Sequence, residues 1–225
     1  MIVHDVQQGS AEWLDVRCGK PTASEFDKIV TSLGKVSDQA DGYMRRLFAE
    51  RITGRPTMGF MSGWMERGTE LEPEAAEFMD TIASINGETV STVGFVTTDD
   101  GKIGASPDRL VGGHGLIEIK CPKADTHVGY MQIFGTSQSV AKKYKVQVQG
   151  QLWIAERTWC DVVSYHPDFD PVVERVERDE KFIDTLRKCV RAFSDTLESA
   201  VVEARSRGWV KSPQSAIAYD MDAAQ

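Results

Sequence analysis

Residues 105–122 read ASPDRLVGGHGLIEIKCP, and this short segment carries charges where a strand is expected to be apolar. The run GLIEIK is typical of a buried β-strand, yet it places Glu118 and Lys120 two residues apart. Because successive side chains of a strand point to opposite faces, the two charges share one face, while Ile117 and Ile119 share the other. Burying either charge alone costs on the order of several kcal/mol, so each requires a partner.

A Pro-Asp pair lies ten positions upstream of Glu118 and follows another strand-like run. The Gly-Gly turn between them predicts a hairpin that returns Glu118 alongside Asp108. Two carboxylates at one point repel each other unless one is protonated or a cation lies between them. Carboxylate oxygens favour Mg²⁺ or Mn²⁺, and with a neighbouring lysine they suit phosphodiester hydrolysis. The alternative is a structural ion pair of Glu118 with Lys120, with Asp108 capping a turn.

Charge is unevenly distributed around this segment. The chain has 225 residues and a net charge of −8, which by itself argues against a nucleic-acid partner. Residues 61–120, however, hold four basic and eleven acidic side chains, a net of −7, whereas residues 121–145 hold four Lys and one Asp, a net of +3. Bound metal ions offset an acidic centre, so the composition remains compatible with a metal-dependent nuclease.

Other features of the sequence disfavour several classes of protein. The sequence has no run of 18 apolar residues, and its start, MIVHDVQQGS, lacks the pattern of a signal peptide. The four cysteines are scattered without C-x-x-C spacing, which disfavours zinc and redox sites and predicts reduced thiols. We therefore expect an intracellular protein that has no membrane partner.

Helical patterns dominate the first half of the chain. Thr22 and Glu25 form a capping-box pattern, and the helix that follows this segment is predicted to stop at Gly54. Residues 63–84 also have helical spacing, but Pro73 interrupts them. Proline disfavours the helical conformation of the preceding residue, so this helix either bends at Pro73 or restarts there.

Strand-like runs dominate the centre of the chain. The segments ETVSTVGFVTT, KIGASPDRLV and GLIEIKCP predict three neighbouring strands, followed by a helix, two more strands and a long helix at about residues 179–206. This order predicts an α/β fold in which helices flank a mixed central β-sheet. We expect a single domain over residues 1–206 and a flexible C-terminal tail at residues 207–225.

Longer motifs of the chain resemble a known family. Pro107-Asp108 and Glu118-x-Lys120 match the PD-(D/E)XK nuclease signature, which is short and degenerate by itself. Four longer blocks, EWLDVRCGKPTASEF, ERGTELEPEA, GASPDRLV…LIEIKCP and KVQVQGQLWI, resemble those of the lambda-type phage exonucleases in the same order. These enzymes belong to the YqaJ-like viral recombinase family. The resemblance covers roughly residues 4–185 and implies a restriction-endonuclease-like core.

A specific activity is implied by this resemblance. The expected enzyme is a Mg²⁺-dependent 5′→3′ exonuclease that digests one strand of linear double-stranded DNA from a 5′-phosphorylated end. It would leave 3′ single-stranded tails for phage-type recombination by strand annealing. Two Mg²⁺ per site, replaceable by Mn²⁺, a homotrimeric ring, a single-strand annealing protein as partner and the cytoplasm of a bacterial host are implied as well. A structure- or sequence-selective PD-(D/E)XK endonuclease and a catalytically dead DNA-end-binding adaptor are the alternatives.

The catalytic residues are assigned by the same resemblance. Asp108, Glu118 and the backbone carbonyl of Ile119 are implied to bind the metals. Lys120 is implied to position or activate the attacking water. Glu72 is implied as an accessory acid beside the metals.

Two assignments in the preceding segment are less direct. Glu70 is the alternative to Glu72, because Pro73 adjoins Glu72 and disturbs the expected helix. Met65 is a candidate for a hydrophobic wedge that separates the two DNA strands at the entry to the site.

A pocket for the terminal 5′-phosphate is implied at Arg17, Ser24 and Ser106. Arginine offers a planar fork of donors to phosphate, and Ser24 lies in the first turn of its predicted helix, where free N–H groups favour an anion. Without the resemblance, capping of that helix by Ser24 is as good an interpretation, and Arg17 would form a surface salt bridge with a nearby carboxylate.

The Gln-rich segment is the last of these blocks. Gln147 and Gln151 share one helical face, and only the resemblance selects Gln147 as the residue that faces the scissile phosphate. The resemblance thereby implies that Gln147 belongs to the catalytic residues and to the 5′-phosphate pocket. For Gln149 and Gln151, a polar helix face exposed to water is the alternative.

Overall fold

The structure is a computed structural model that describes residues 1–57, 63–133 and 139–210, with the backbone alone at residues 63–66 and 69. Within these ranges, the strands are β1 (Ile2–His4), β2 (Val90–Ser91), β3 (Phe95–Thr97), β4 (Gly104–Ala105), β5 (Arg109–Val111), β6 (Gly115–Lys120), β7 (Trp159–Ser164) and β8 (Val172–Glu177). The helices are α1 (Ala11–Arg17), a 3-10 helix (Ala23–Lys28), α2 (Ala40–Thr53), α3 (Gly63–Ile85), α4 (Ala124–Gln132), α5 (Val140–Lys143), α6 (Lys145–Ile154) and α7 (Glu180–Ser206).

Two sheets form the centre of the molecule. The larger is five-stranded, in the order β2-β5-β6-β7-β8, and the smaller is three-stranded, in the order β1-β3-β4. In the larger sheet β6 pairs antiparallel with β5 and parallel with β7, so the sheet is mixed. Helices pack against this sheet, and the predicted fold class is confirmed.

Strand β6 separates two apolar cores. Leu116 belongs to the larger core with residues of α6 and α7, whereas Ile117 and Ile119 belong to a smaller core with residues of α3. The alternation expected for this strand is therefore confirmed, and the face opposite Ile117 and Ile119 carries the two charges.

The structure divides the predicted strands differently. ETVSTVGFVTT forms β2 and β3, which lie in different sheets, and KIGASPDRLV forms β4 and β5, which are separated by residues 106–108. The short strand β1 and the helix α4 were not predicted. Alternating apolar residues cannot show which sheet a strand joins, and a three-residue strand is too short for a periodic signal.

The acidic helix is continuous. α3 runs from Gly63 to Ile85 through Pro73, so no new helix begins at that residue. Proline removes one backbone hydrogen bond from a helix interior. Burial of Ala75, Ala76 and Met79 against the smaller core compensates for this loss, because it holds the next turns of the helix on the sheet.

The predicted capping box at Thr22 was wrong. Its side chain makes no capping hydrogen bond, and the segment that follows is the 3-10 helix. Glu25 instead forms ion pairs with Lys28 and Arg46, because two cations attract a carboxylate more strongly than one backbone N–H. The predicted stop of α2 is confirmed, since Gly54 adopts a left-handed conformation with φ of 65°.

The C-terminal helix agrees with the sequence. α7 begins after Asp179, whose side chain accepts a hydrogen bond from the backbone N–H of Phe182, and it ends at Ser206. Of the tail predicted at residues 207–225, residues 211–225 lie outside the described part of the chain. No helix among the described residues is long and apolar enough to cross a membrane.

Candidate active site

The β5–β6 hairpin brings two carboxylates together. Arg109 pairs with Ile117 in this antiparallel hairpin, so the residue before β5, Asp108, lies opposite Glu118. The Oδ2 atom of Asp108 accepts a hydrogen bond of 2.6 Å from the backbone N–H of Ile119. The predicted return of Glu118 alongside Asp108 is therefore confirmed.

Side-chain donors surround the buried carboxylate of Glu118, which is 2% exposed. Its Oε1 atom accepts hydrogen bonds from Nζ of Lys120, at 2.5 Å, and from Nε2 of Gln147. Its Oε2 atom accepts one from Nε2 of Gln151, at 2.5 Å. The strand β6 thus supplies the carboxylate and the lysine, and the facing helix α6 supplies both amides.

The alternative of a water-exposed polar face at Gln149 and Gln151 is not observed. Gln151 is 1% exposed and Gln149 is 2% exposed. α6 packs against the 3-10 helix, α7 and β7, so almost all of its surface is covered. A helical pattern shows which residues share a face but not how many neighbours enclose the helix.

Asp108, Glu118 and Lys120 form a charged corner of the site. Burial and neighbouring charges shift the pKa values of Asp108 and Lys120. Burial and the negative charge of Glu118 raise the pKa of Asp108 well above its usual range. Burial opposes the charge of Lys120, but Glu118 and Asp108 outweigh this effect and raise its pKa above the usual value. Lys120 therefore carries a proton at neutral pH, and it can donate hydrogen bonds but not accept one.

Glu72 is the acid of α3 that is electrostatically coupled to this corner. It is half-buried, and burial and the charge of Glu118 raise its pKa, whereas Lys120 and Arg109 lower it. Glu70 is exposed on the same helix. The arrangement favours Glu72 over Glu70 as the accessory acid.

The corner fits a hard divalent cation. Among the described residues, no three His, Cys, Asp or Glu side chains cluster closely enough to hold a metal ion by themselves. Mg²⁺, however, usually retains several waters and takes only one or two carboxylates. Asp108 and Glu118 are two carboxylates whose mutual repulsion a cation would relieve, and the carbonyl of Ile119 is an oxygen of the same class.

Arg17 and Ser106 form a second polar site, and Ser106 lies two residues before Asp108 in the chain. The Oγ atom of Ser106 accepts hydrogen bonds from Nη1 of Arg17, at 3.1 Å, and from Nε1 of Trp13, at 3.0 Å. The guanidinium of Arg17 lies 4.0 Å from the centroid of the Trp13 ring. Burial lowers the pKa of Arg17, and no carboxylate of the described residues lies within ion-pair distance of it. The alternative of a surface salt bridge at Arg17 is therefore not observed.

Ser24 lies on a segment beside this second site. It is exposed in the first turn of the 3-10 helix, and its Oγ atom lies 3.3 Å from Oγ1 of Thr22. A parallel bridge between Thr22 and Gly104 places this segment beside β4, two residues before Ser106. No hydrogen bond within the described residues joins Ser24 to Arg17 or Ser106. Its role in phosphate binding stays a prediction.

Residues that the sequence did not single out complete the site. Trp13 supplies the stacking surface and a donor, and Nε2 of Gln8 donates to the carbonyls of Val93 and Pro107, both at 2.9 Å. Trp13 lies in the block EWLDVRCGKPTASEF, and an indole N–H that is removed from water requires an acceptor. No sequence pattern identifies Ser106 as that acceptor. Met65 belongs to α3, and its side chain lies outside the described residues.

Comparison with known proteins agrees with this geometry. The sequence pattern of the YqaJ-like viral recombinase domain matches residues 12–158. The chain belongs to this family. The matched residues include both polar sites and the helix α6, so the family assignment rests on the same part of the chain as the site.

Two solved structures similar to this chain are those of one alkaline exonuclease. The crystal structure of an alkaline exonuclease, LHK-Exo, from Laribacter hongkongensis is 34% identical, covers 88% of this chain and 98% of its own, and has a TM-score of 0.77. The complex of LHK-Exo with dAMP has a TM-score of 0.76, with 34% identity over 90% of this chain and 100% of that one. Together with the family assignment, this similarity supports a nuclease role. No curated protein matches the chain significantly.

A more distant structure shows the fold alone. The phage-related exonuclease from Haemophilus somnus 129PT is 18% identical, covers 84% of this chain and 98% of its own, and has a TM-score of 0.61.

Proposed function

We propose that the protein is a Mg²⁺-dependent 5′→3′ exonuclease that digests one strand of linear double-stranded DNA from a 5′-phosphorylated end. The observation that carries the proposal is the convergence of Asp108, Glu118 and Lys120 at one corner. Ser106, which is bonded to Arg17, lies two residues before Asp108 in the chain. Two extended residues span at most about 7 Å, so an anion bound at Ser106 would lie close to the carboxylates of Asp108 and Glu118. This spacing suits a terminal phosphate held beside the bond to be cleaved.

Each group of the site has a role that its chemistry supports. Arg17, which lies over the ring of Trp13, offers its fork of donors to the terminal phosphate. Lys120 carries a proton and donates to the developing phosphate charge or to the attacking water. Gln147 donates an N–H to Oε1 of Glu118, the oxygen that Lys120 also contacts, and can turn to the scissile phosphate.

The carboxylates of Asp108 and Glu118 would hold the metal with the carbonyl of Ile119, and Glu72 would act beside them. A bound divalent cation would lower the pKa of water and neutralise charge on the phosphate. We propose two Mg²⁺ per site, with Mn²⁺ as a substitute.

End-labelled linear duplex and covalently closed circular duplex test the activity and its polarity. With Mg²⁺, the linear duplex should release its 5′ label as mononucleotide and leave the 3′ label on a shortening strand. The closed circle should remain intact, and chelation by EDTA should stop digestion. Cleavage of the closed circle would support the endonuclease instead, and inert wild-type protein with both Mg²⁺ and Mn²⁺ would support the dead adaptor.

Arg17→Ala tests the recognition of the end. The wild-type protein should digest 5′-phosphorylated duplex faster than 5′-hydroxyl duplex, and the variant should lose this preference because only the phosphate needs the guanidinium. Arg205→Ala, which changes an exposed arginine of α7, is the matched control and should retain the preference. Equal rates on both ends for the wild-type protein would contradict the phosphate pocket.

We further propose a homotrimeric ring and a single-strand annealing protein as partner in phage-type recombination. Both proposals are supported by the resemblance of the four sequence blocks to lambda-type exonucleases. Light scattering coupled to gel filtration should give three times the monomer mass of 25.0 kDa. Monomeric protein at micromolar concentration would contradict the ring.

A further inference from the structure

Gln151 contacts the oxygen of Glu118 that the other site residues leave free. Lys120 and Gln147 both donate to Oε1, whereas Gln151 is the only described residue that donates to Oε2. Gln151 lies on α6 one turn after Gln147 and is almost fully enclosed by protein. The two oxygens of this carboxylate therefore have different environments.

The orientation of the Gln151 amide is set by this contact. A carboxylate can only accept hydrogen bonds, so the amide nitrogen must face Glu118 and the amide oxygen must point away. That oxygen, Oε1, is buried and has no hydrogen-bond partner among the described residues. A reversed amide would not help, because it would place the oxygen against Oε2 of Glu118.

This arrangement costs folding energy. A buried acceptor without a partner lowers the free energy of unfolding, and a methionine of similar length would avoid this loss. A buried polar group left unsatisfied in a native structure calls for an explanation, and a role at an active site is one of the recognised explanations. The contact to Glu118 is the function available to Gln151 here.

Gln149 shows what a purely structural glutamine looks like on the same helix. Its Nε2 atom donates to the carbonyl of Glu177 at 2.9 Å, and its Oε1 atom accepts from the backbone N–H of Asp179 at 2.9 Å. Both ends of its amide are thus satisfied, and it joins α6 to the start of α7. Gln149 is as buried as Gln151 but takes no part in the site.

We propose that Gln151 is a positioning residue that anchors Oε2 of Glu118 and thereby presents Oε1 to the divalent cation. The terminal torsion of a glutamate is broad, so a carboxylate without an anchor can rotate about it. With Oε2 held by Gln151, exchange of donors takes place at Oε1, where Lys120 and Gln147 can move to water or phosphate. The inference rests on the metal dependence of the proposed function and adds to it the residue that orients its ligand.

Direct binding of Mn²⁺ to the full chain, without DNA, tests this role by electron paramagnetic resonance of the free ion. Gln151→Met keeps the length of the side chain and removes its N–H, and it should weaken Mn²⁺ binding roughly 10-fold or more, as for other groups that orient metal ligands. Gln149→Met, the matched control, should bind Mn²⁺ as the wild-type protein does. Thermal unfolding of each variant checks that it is folded, and Gln151→Asn, a smaller change, replaces Gln151→Met if that variant does not fold.

DNA digestion supplies a second measurement. The Mg²⁺ concentration at half-maximal rate should rise by the same factor for Gln151→Met, while the rate at saturating Mg²⁺ stays near that of the wild-type protein. A merely structural loss would lower the saturated rate and leave the Mg²⁺ requirement unchanged.

The possible outcomes separate this inference from the proposed function. Unchanged Mn²⁺ affinity in Gln151→Met, an equal loss in Gln149→Met, or no Mn²⁺ binding by the wild-type protein would overturn the inference. Wild-type protein that binds Mn²⁺ but does not digest linear duplex would overturn the exonuclease proposal alone, because the comparison of the two glutamine variants would still decide the role of Gln151.

Discussion

Two buried glutamates in this molecule are held in different ways. Glu50, on α2, is 7% exposed, and its carboxylate accepts hydrogen bonds from the backbone N–H groups of Gly19, at 2.8 Å, and Thr57, at 3.1 Å. Nε of Arg46 lies 3.9 Å from the same carboxylate. Backbone donors cannot turn away, so Glu50 fastens two loops to α2 and has no freedom to do chemistry.

Glu118 is more deeply buried, and every donor to its carboxylate within the described part of the chain is a side chain. Lys120 and Gln147, which donate to Oε1, can rotate away, Gln151 donates to Oε2 from an enclosed position, and Asp108 adds a second carboxylate to the corner. The corner therefore has more negative charge than a stable structure requires. Its donors at Oε1, Lys120 and Gln147, can be replaced there by another ligand. The two carboxylates are both buried, so burial does not distinguish Glu50 from Glu118, for which we propose a role in metal binding, whereas the kind of hydrogen-bond donor does.

Lys120→Ala should have the largest effect on activity. It removes the ammonium group that contacts Glu118 and that would face the scissile phosphate of bound DNA. The loss of one such donor costs at least about 100-fold in rate. Digestion of end-labelled duplex measures the rate, and gel-shift assays should show that the variant still binds DNA ends. Lys142→Ala, a change of an exposed lysine of α5, should digest DNA normally. Substantial activity in Lys120→Ala would exclude a catalytic role for this lysine.

The two glutamates should respond in opposite ways to conversion into glutamine. Glu50→Gln places an N–H₂ group against backbone N–H groups and should lower the free energy of unfolding by about 2 kcal/mol or more. Glu118→Gln removes charge that Asp108 repels, and the amide of Gln151 can turn its unpaired oxygen toward the new N–H₂ group. Its free energy of unfolding should therefore stay within about 1 kcal/mol of the wild type while activity is lost. Denaturant titration measures both, and equal destabilisation would contradict the comparison.

Stability of the metal-free protein should fall as the pH rises. Burial and Glu118 raise the pKa of Asp108 in the folded state, so the folded protein binds more protons than the unfolded chain above the usual carboxyl pKa of about 4. The loss of stability begins there and is complete once the pH exceeds the raised pKa. Mg²⁺ should offset the loss, because it replaces the proton between the carboxylates.

Thermal unfolding across pH in EDTA and in Mg²⁺ measures this effect. Asp108→Asn should lose most of the pH dependence and of the response to Mg²⁺. An unchanged profile in that variant would show that another group, such as Glu72, dominates the titration.

Asp80→Asn should have the smallest effect. Asp80, on α3, is bonded to Nε of Arg109 at 3.1 Å, and its side chain is 40% exposed. Because water screens such a pair, the free energy of unfolding should fall by less than about 1 kcal/mol. Arg109 keeps its hydrogen bond of 2.8 Å to the carbonyl of Asp108, so digestion should be nearly unchanged. A large loss of activity would mean that this ion pair positions Glu72 on α3.

The corner of Asp108, Glu118 and Lys120 could be predicted from the sequence more fully than the contact of Arg17 with Ser106. Asp108, Glu118 and Lys120 lie in one hairpin, where alternation and a Gly-rich turn define their relative positions. Arg17 and Ser106 are 89 residues apart, and only the resemblance to a family linked them before the structure showed their hydrogen bond.

Gln151 is the clearest case of a site contact that no sequence pattern indicated. Helical spacing placed it on the face of Gln147, yet an exposed polar face explained that spacing equally well. Only the packing of α6 against its neighbours shows that the face is buried and meets Glu118. The same holds for Trp13, whose indole meets an acceptor 93 residues away.

Local pattern in the sequence was sufficient for the strand β6, the hairpin and the two charges on one face, because these depend on the alternation of side chains and on turn residues within a few positions. It was also sufficient for the long helix α7 and the end of α2. The assignment of donors to each oxygen of Glu118, the stacking of Arg17 on Trp13 and the division of strands between two sheets were decided by tertiary structure alone. These contacts join distant parts of the chain, and the free energy that favours them arises only when burial removes water from their polar groups.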